Sequence, residues 1–176
     1  MPVSFDAQEF RKALGQFATG VAVITASDRA GVPIGMTISS FNSVSLDPPL
    51  VLFSVDRRAL SLPAMLAEGY AVNLLSRRQE HLSNQFAKAL SDKWQAVRHT
   101  LGRARAPLIQ GALAHFECSP YAYYDGGDHV ILLGRVLRFS TQPRRGPPHL
   151  HQGQVWQPEE RDAERAPVAA TDALLI

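Results

Sequence analysis

Between residues 21 and 139 the chain passes through six short stretches rich in apolar and β-branched residues, with no helix pattern alternating regularly between them. They are Val21–Thr25, 33–40, Leu50–Val55, Tyr70–Leu75, Ala112–Cys118 and His129–Phe139. Stretches of this length and composition form strands, because branched side chains fit a pleated, half-buried surface. A doubly wound parallel sheet needs a helix after almost every strand, so this order disfavours one. The pattern predicts a mainly β fold with peripheral helices. The strands are expected to run antiparallel and to close into a barrel, because closure removes exposed edges.

Local signals fill in the rest. Asp6 with Glu9 reads as a helix-start pair, and Phe10, Ala13, Leu14 and Phe17 repeat at helical spacing, predicting a helix over 7–17. Thr19-Gly20 is read as its end. Ser27 to Gly31 is a hairpin turn between two strands. Ser61 is placed to cap a short helix whose first turn tolerates Pro63. Residues 77–90 read as a helix with Leu82, Phe86 and Ala89 on one side. Pro120 to Asp128 reads as a loop, and Gly134 as a bulge or bend within the last strand. Five of the twelve prolines lie from Pro143 onward. The expected organisation is therefore one domain over 1–142 and a Pro-rich, loosely packed extension over 143–176.

A net charge of +2 carries no strong nucleic-acid footprint. Cys118 is the single cysteine, so an intrachain disulfide and a cysteine-based zinc site are both excluded. The first residues lack a basic-then-apolar leader pattern, and no apolar run reaches membrane-spanning length. These features give the expectation of a cytoplasmic protein that meets neither nucleic acid nor membrane.

The most informative segment is GMTISSFNSVSLDPPLVLFSV, residues 35–55. Thr37, Ser39, Ser40, Asn42, Ser43 and Ser45 stand beside a buried apolar run. Their hydroxyls and amides either satisfy local backbone groups or face a polar ligand. Asp56-Arg57-Arg58 precedes the helix start at Ser61, which is either a solvated turn or a phosphate site. Asn73 lies inside an apolar strand, where a buried amide must find partners. His129 opens the last strand, facing either solvent or a cleft mouth. His149 and His151 could share one face of a strand, but no third metal ligand lies nearby, and no metal site is expected. There is no G-x-G-x-x-G after a strand, no Walker loop, no H-E-x-x-H and no G-x-S-x-G. Rossmann-type nucleotide binding and serine-nucleophile hydrolysis therefore lack support.

Taken in order, FATGVAVITA (17–26), the 35–55 segment, AVNLL (71–75), the Q-x-x-L-x-x-x-F-A spacing ending at Phe86-Ala87, GALAHFEC (111–118) and GDHVILLGRV (127–136) resemble the flavin reductase family. These are the short-chain reductases of two-component flavin-dependent monooxygenases. The resemblance covers roughly residues 7–140.

It implies a Greek-key split β-barrel, a homodimer, and NADH- or NADPH-dependent reduction of FMN or FAD. It also implies release of the reduced flavin to a partner monooxygenase. In such proteins Met36, Thr37, Ser39 and Ser40 correspond to contacts along the flavin ring. Ser54, Arg57 and Ser61 correspond to positions near the ribityl chain and phosphate. Asn73, Leu74 and Leu75 border the ring; Gln79, Phe86 and Lys93 approach from the next helix and loop, with Lys93 as a phosphate partner. His129 corresponds to the position that orients the nicotinamide. The family's tail pattern is absent: PPHLHQGQVW (147–156) has Gln154 and Val155 where arginine and tyrosine are usual, and Trp156 as a possible aromatic cover. A flavin-binding electron carrier without enzymatic turnover is the alternative reading.

Overall fold

The computed structural model describes residues 6–88 and 92–142, together with the backbone of 149–151 and 154–156. Its elements, in chain order, are α1 (Ala7–Leu14), β1 (Thr19–Gly20), β2 (Ala22–Ser27), β3 (Pro33–Ile38), β4 (Asn42–Leu46), β5 (Pro49–Asp56), α2 (Leu62–Ala67), β6 (Tyr70–Leu74), a 3-10 turn (Arg77–Gln79), α3 (Glu80–Ala87), β7 (His99–Leu101), β8 (Pro107–Ile109), β9 (Ala114–Gly126), β10 (His129–Thr141), β11 (His149–His151) and β12 (Gln154–Trp156).

Seven of these strands make one antiparallel sheet in the order β3-β2-β6-β9-β10-β5-β4. Its two edges, β3 and β4, are consecutive in the chain, joined only by residues 39–41. Laid flat, seven strands would hold the edges about 29 Å apart at ~4.8 Å per strand. The link from Ile38 to Asn42 reaches at most about 15 Å. The sheet must therefore curl until its edges approach each other. No ladder joins β3 to β4 among the described residues. The mainly β, antiparallel expectation holds, and the sheet is curled rather than closed by hydrogen bonds.

The curl creates two apolar cores on opposite faces of β2. Ala22, Ile24 and Ala26 point inward to Phe53, Val55, Tyr70, Val72, Val130 and Leu132. Val21 and Val23 point outward to Leu75, Leu82, Phe86, Val97 and Ile109, so α3 covers this part of the sheet. A strand covered on both faces carries apolar residues at successive positions, which is how Val21–Ile24 reads.

Several boundaries differ from the sequence reading. The stretch 120–126 is not a loop: β9 runs on to Gly126 and pairs with β10, leaving only a tight turn at Gly127. Pro120 is accommodated because it faces Gly134 at a register shift, the position where a bulge was predicted. A Cβ at Gly134 would run into the Tyr70 hydroxyl, which explains the glycine there. β4, β7 and β8 carry exposed or short segments and were not anticipated. α1 ends at Leu14, with Asp6 Oδ1 accepting from the N–H groups of Gln8 and Glu9 at 2.7 and 2.9 Å. It buries no residue, and Phe10, Leu14 and Phe17 remain exposed. Thr19 and Gly20 do not end a helix but pair with β11. Ala89 and most of the 143–176 extension lie outside the described residues, as do the side chains of His149, His151, Gln154, Val155 and Trp156.

Candidate functional site

Four segments that are distant in sequence converge on one cavity of about 570 Å³. β3 supplies Gly35, Met36 and Thr37. The turn after β5 supplies Arg58, Ala59, Leu60 and Ser61. The end of α3 supplies Phe86, and the following turn supplies Lys93 and Trp94.

Each segment is fixed from behind. The Thr37 hydroxyl donates to Ser83 O at 2.7 Å, tying β3 to α3. Gly35 is required by packing: a Cβ there would lie 2.7 Å from the Phe86 ring. The Phe86 and Trp94 rings meet edge to face at 5.0 Å, and Trp94 meets His99 at 4.9 Å. Gln85 donates from Nε2 to Lys93 O at 2.8 Å and Gln95 O at 3.1 Å, holding the 93–96 turn. The buried Trp94 Nε1 donor has no partner among the described residues.

The cavity is apolar with a cationic rim. Lys93 Nζ donates to Phe86 O at 3.1 Å and lies 3.5 Å from Gly35 O; no carboxylate pairs with it among the described residues. Burial lowers its pKa from the usual lysine range. Arg58 is held by Asp56 through two side-chain bonds, Nε at 3.1 Å and Nη2 at 2.8 Å, and Asp56 Oδ1 also accepts the Arg58 N–H at 2.8 Å. The hydrogen bond from the Arg58 side chain, then that from its backbone, hold the Asp56 carboxyl far below the usual carboxylate range. Ser61 stands at the start of α2 but its hydroxyl makes no cap; it lies 3.4 Å from Met36 Sδ inside the cavity. Apolar walls with a serine hydroxyl and two cations match a ligand with a flat ring at one end and an anionic group at the other.

The residues singled out from the sequence divide into three groups. Met36, Thr37, Ser61, Phe86 and Lys93 are brought together in the cavity. Ser40 and Ser54 meet each other instead: the Ser54 N–H donates to Ser40 Oγ at 2.9 Å, tying the link between β3 and β4 to β5. Ser39 lies beside them in the 39–41 link. Asn73, Leu74, Leu75 and Gln79 do not line the cavity. Asn73 is fully buried: its Nδ2 donates to Val23 O and Thr25 Oγ1 at 3.0 Å, and its Oδ1 accepts from Ile109 N at 2.8 Å. Leu75 belongs to the outer core, and Gln79 closes a capping box with Ser76 while donating to Gln110 O at 2.8 Å.

Arg57 turns away from the cavity. Its Nε donates to Gly127 O at 2.7 Å and its Nη2 pairs with Asp125 at 2.5 Å, clamping the β9–β10 turn. Its neighbour Arg58 takes the cavity position, and sequence gave no means of choosing between them. Leu60 and Trp94 were also missed; a tryptophan beside Lys93 in a polar turn was the available signal for the second. His129 is half-exposed, outside the cavity lining, with Nδ1 2.7 Å from Asp128 Oδ1. That contact, together with the charge of the ring, lowers the Asp128 pKa. On the ladder His129 faces Asp56, the residue that holds Arg58.

Residues 14–158 match the family model described as "Flavin reductase like domain". The chain belongs to this family. It is 46% identical over 143 residues to a "Probable flavin reductase" of Rhizobium meliloti, covering 81% of this chain and 46% of that protein; the chain thus spans about half of that relative's length. It is 38% identical over 152 residues to the "Flavin-dependent monooxygenase, reductase subunit HsaB" of Rhodococcus jostii, covering 86% and 77% of the two chains. Among solved structures, the Streptomyces globisporus NADH:FAD oxidoreductase SgcE6, in complex with NAD and FAD fragments, superposes with a TM-score of 0.84 at 38% identity, covering 88% of this chain and 94% of that one.

Proposed function

We propose that the protein is an NAD(P)H:flavin oxidoreductase that takes FMN or FAD into the Met36–Ser61–Trp94 cavity and supplies reduced flavin to a partner monooxygenase. The observation that carries this reading is the cavity's chemistry: an apolar, aromatic-walled pocket whose lining includes two cations, Arg58 and Lys93. The names of the similar proteins, an NADH:FAD oxidoreductase and a monooxygenase reductase subunit, support the donor and the partner.

The flavin, when bound, supplies the hydride-accepting ring. The chain binds and orients. Met36, Phe86 and Trp94 offer an apolar bed, while Ser61, Arg58 and Lys93 offer donors to phosphate. Backbone N–H groups along β3, an edge strand of the sheet, suit the charge that grows on a ring edge during reduction. His129 is assigned to positioning the nicotinamide. A homodimer is supported by the exposed apolar side chains that β9 and β10 carry, Tyr121, Tyr123, Leu137 and Phe139. A reaction fed by NAD(P)H belongs where that donor is regenerated, in the cytoplasm.

The test is steady-state oxidation of NADH and of NADPH, each with riboflavin, FMN or FAD. Turnover that saturates in free flavin is the expected result. Tight flavin binding without turnover would indicate the electron-carrier alternative, and no binding at all would end the flavin reading.

A further inference from the structure

Arg57 and Arg58 are consecutive, yet they serve opposite sides of one junction. Arg58 belongs to the lining of the flavin cavity. Arg57 binds the corner over 125–128, where β9 turns into β10. Its backbone N–H donates to Asp128 O at 3.1 Å, its Nε donates to Gly127 O at 2.7 Å, and its Nη2 donates to Asp125 Oδ1 at 2.5 Å. Asp125 Oδ1 also accepts the Gly127 N–H at 2.9 Å.

This corner has little else to fix it. Gly127 turns with a φ of +77°, and the Asp125 side chain is 79% exposed. A planar guanidinium presents its donors in a fixed fork, so one side chain sets both the Gly127 carbonyl and the Asp125 carboxylate. The Gly127 N–H, then the Arg57 side chain, lower the Asp125 pKa, so the carboxylate stays charged and paired at neutral pH. The corner ends in Asp128, whose Oδ1 lies 2.7 Å from His129 Nδ1. A carboxylate only accepts, so Nδ1 carries the proton and Nε2 is the nitrogen left for a ligand. Arg57 thus reaches the imidazole in two steps: it fixes the Asp128 backbone, and the Asp128 side chain fixes the ring. An exposed arginine–aspartate pair adds little to stability. The clamp's work is placement, since it narrows the orientations open to His129.

We propose that Arg57 is a positioning residue for hydride transfer: it acts through the 125–128 corner and Asp128 to hold His129 in one orientation, and takes no part in binding the flavin phosphate. The proposal rests on the assignment of His129 to the nicotinamide. The step moves one hydride from the dihydronicotinamide, which becomes a pyridinium, to the flavin; no proton or electron passes through Arg57 or His129. Two adjacent arginines then divide the reaction, Arg58 serving the flavin and Arg57 the donor.

The experiment follows reduction of protein-bound FMN by NADH in stopped flow, with NADH raised to saturation, and titrates FMN and riboflavin separately. The variants are Arg57→Gln, Arg57→Lys, Asp125→Asn, His129→Ala, and Arg57→Gln combined with His129→Ala. Arg57→Gln is expected to slow the saturated rate about fivefold, while both flavin affinities stay within about twofold and the urea midpoint is unchanged. Arg57→Lys is expected to restore little of the rate, because one ammonium cannot replace the fork. Asp125→Asn is expected to slow the rate by a smaller factor. In the His129→Ala background, Arg57→Gln is expected to slow the rate no further, which a general loosening of the fold would not reproduce. Loss of FMN affinity with riboflavin affinity intact would return Arg57 to the phosphate and overturn the proposal. A wild-type rate in Arg57→Gln, or an equal further slowing in the His129→Ala background, would also overturn it. A His129→Ala protein that reduces its flavin at the wild-type rate would instead remove the nicotinamide assignment beneath it.

Discussion

Arg58 and Asp56 stand two residues apart at the end of β5, and the guanidinium lies side by side with the carboxylate, Nε at 3.1 Å and Nη2 at 2.8 Å. The pairing holds in place an exposed arginine that belongs to the lining of the cavity. Left free, a side chain this exposed would sample many rotamers and lose entropy on meeting an anion.

Asp56→Asn keeps the backbone acceptor geometry but removes the charge that holds the fork. Affinity for FMN is expected to fall about three- to tenfold, while riboflavin affinity stays unchanged, because only the phosphate meets Arg58. Isothermal titration of both flavins reads the difference. The pH dependence follows from the sign of the shift. The Asp56 pKa is lowered in the folded protein, so its contribution is complete above the ordinary carboxylate value near about 4 and is lost only as pH falls through the lowered value. The FMN-to-riboflavin ratio should therefore show no inflection from this group between about pH 5 and 8. An inflection that disappears in Asp56→Asn would contradict the assignment.

Gly35→Ala tests the aromatic wall. The new methyl would lie 2.7 Å from one Phe86 ring carbon and 2.8 Å from another, so the ring must swing. The ring packs edge to face on Trp94, and both line the cavity. All flavins, phosphorylated or not, are expected to bind about tenfold more weakly, and tryptophan emission is expected to shift. Unchanged affinity with an unchanged spectrum would show that Phe86 does not shape the site.

The strands of the inner core were legible because β-branched and aromatic residues announce them directly. The extension of β9 was not, since Pro120 and the Gly126-Gly127 pair look like loop punctuation. Only the partner strand, through the shift at Gly134, reveals that Pro120 has a place in a ladder. The hydroxyl-rich 35–45 segment is three things: a cavity wall at Met36 and Thr37, a tie to β5 at Ser40, and an edge strand over β4. Arg57 and Arg58 are indistinguishable in sequence. Their opposite directions are set by Asp125, some seventy residues away, and by Asp56. Asn73 carried the same ambiguity, since a buried amide can serve a ligand or the backbone.

Asn73→Ala separates those two roles. The amide bridges Val23, Thr25 and the Ile109 N–H from a fully buried position. Its removal leaves a buried donor unsatisfied and is expected to cost about 2–3 kcal/mol of stability. Denaturant unfolding measures this. Flavin affinity of the folded protein, titrated well below the midpoint, is expected to be unchanged. A selective loss of flavin binding with normal stability would put Asn73 back against the ring.

His129→Ala addresses the donor side. The imidazole is half-exposed and outside the cavity lining, so flavin affinity is expected to change less than about threefold. Reduction of bound flavin by NADH, followed by stopped flow, is expected to slow about tenfold or more. Collapse of flavin affinity with the rate per bound flavin intact would move His129 out of the nicotinamide role.

Tyr70 and Gly134 give the last prediction, one of stability alone. The Tyr70 ring is fully buried, edge to face with Phe53 at 5.2 Å, and its hydroxyl has no partner among the described residues. Burial, reinforced by the neighbouring Cys118, pushes its pKa well above the usual tyrosine range. Removing a buried hydroxyl that satisfies nothing should leave the protein as stable or make it more so, by up to about 1 kcal/mol for Tyr70→Phe. Gly134→Ala should destabilise by about 1–3 kcal/mol, because the new methyl meets that hydroxyl. In the double variant the nearest contact is gone and the 2.9 Å contact to the ring carbon Cζ remains, so its cost should be smaller than the sum of the single changes. Urea unfolding of the four proteins closes the cycle. Strict additivity would mean that the tyrosine hydroxyl is not what keeps residue 134 a glycine.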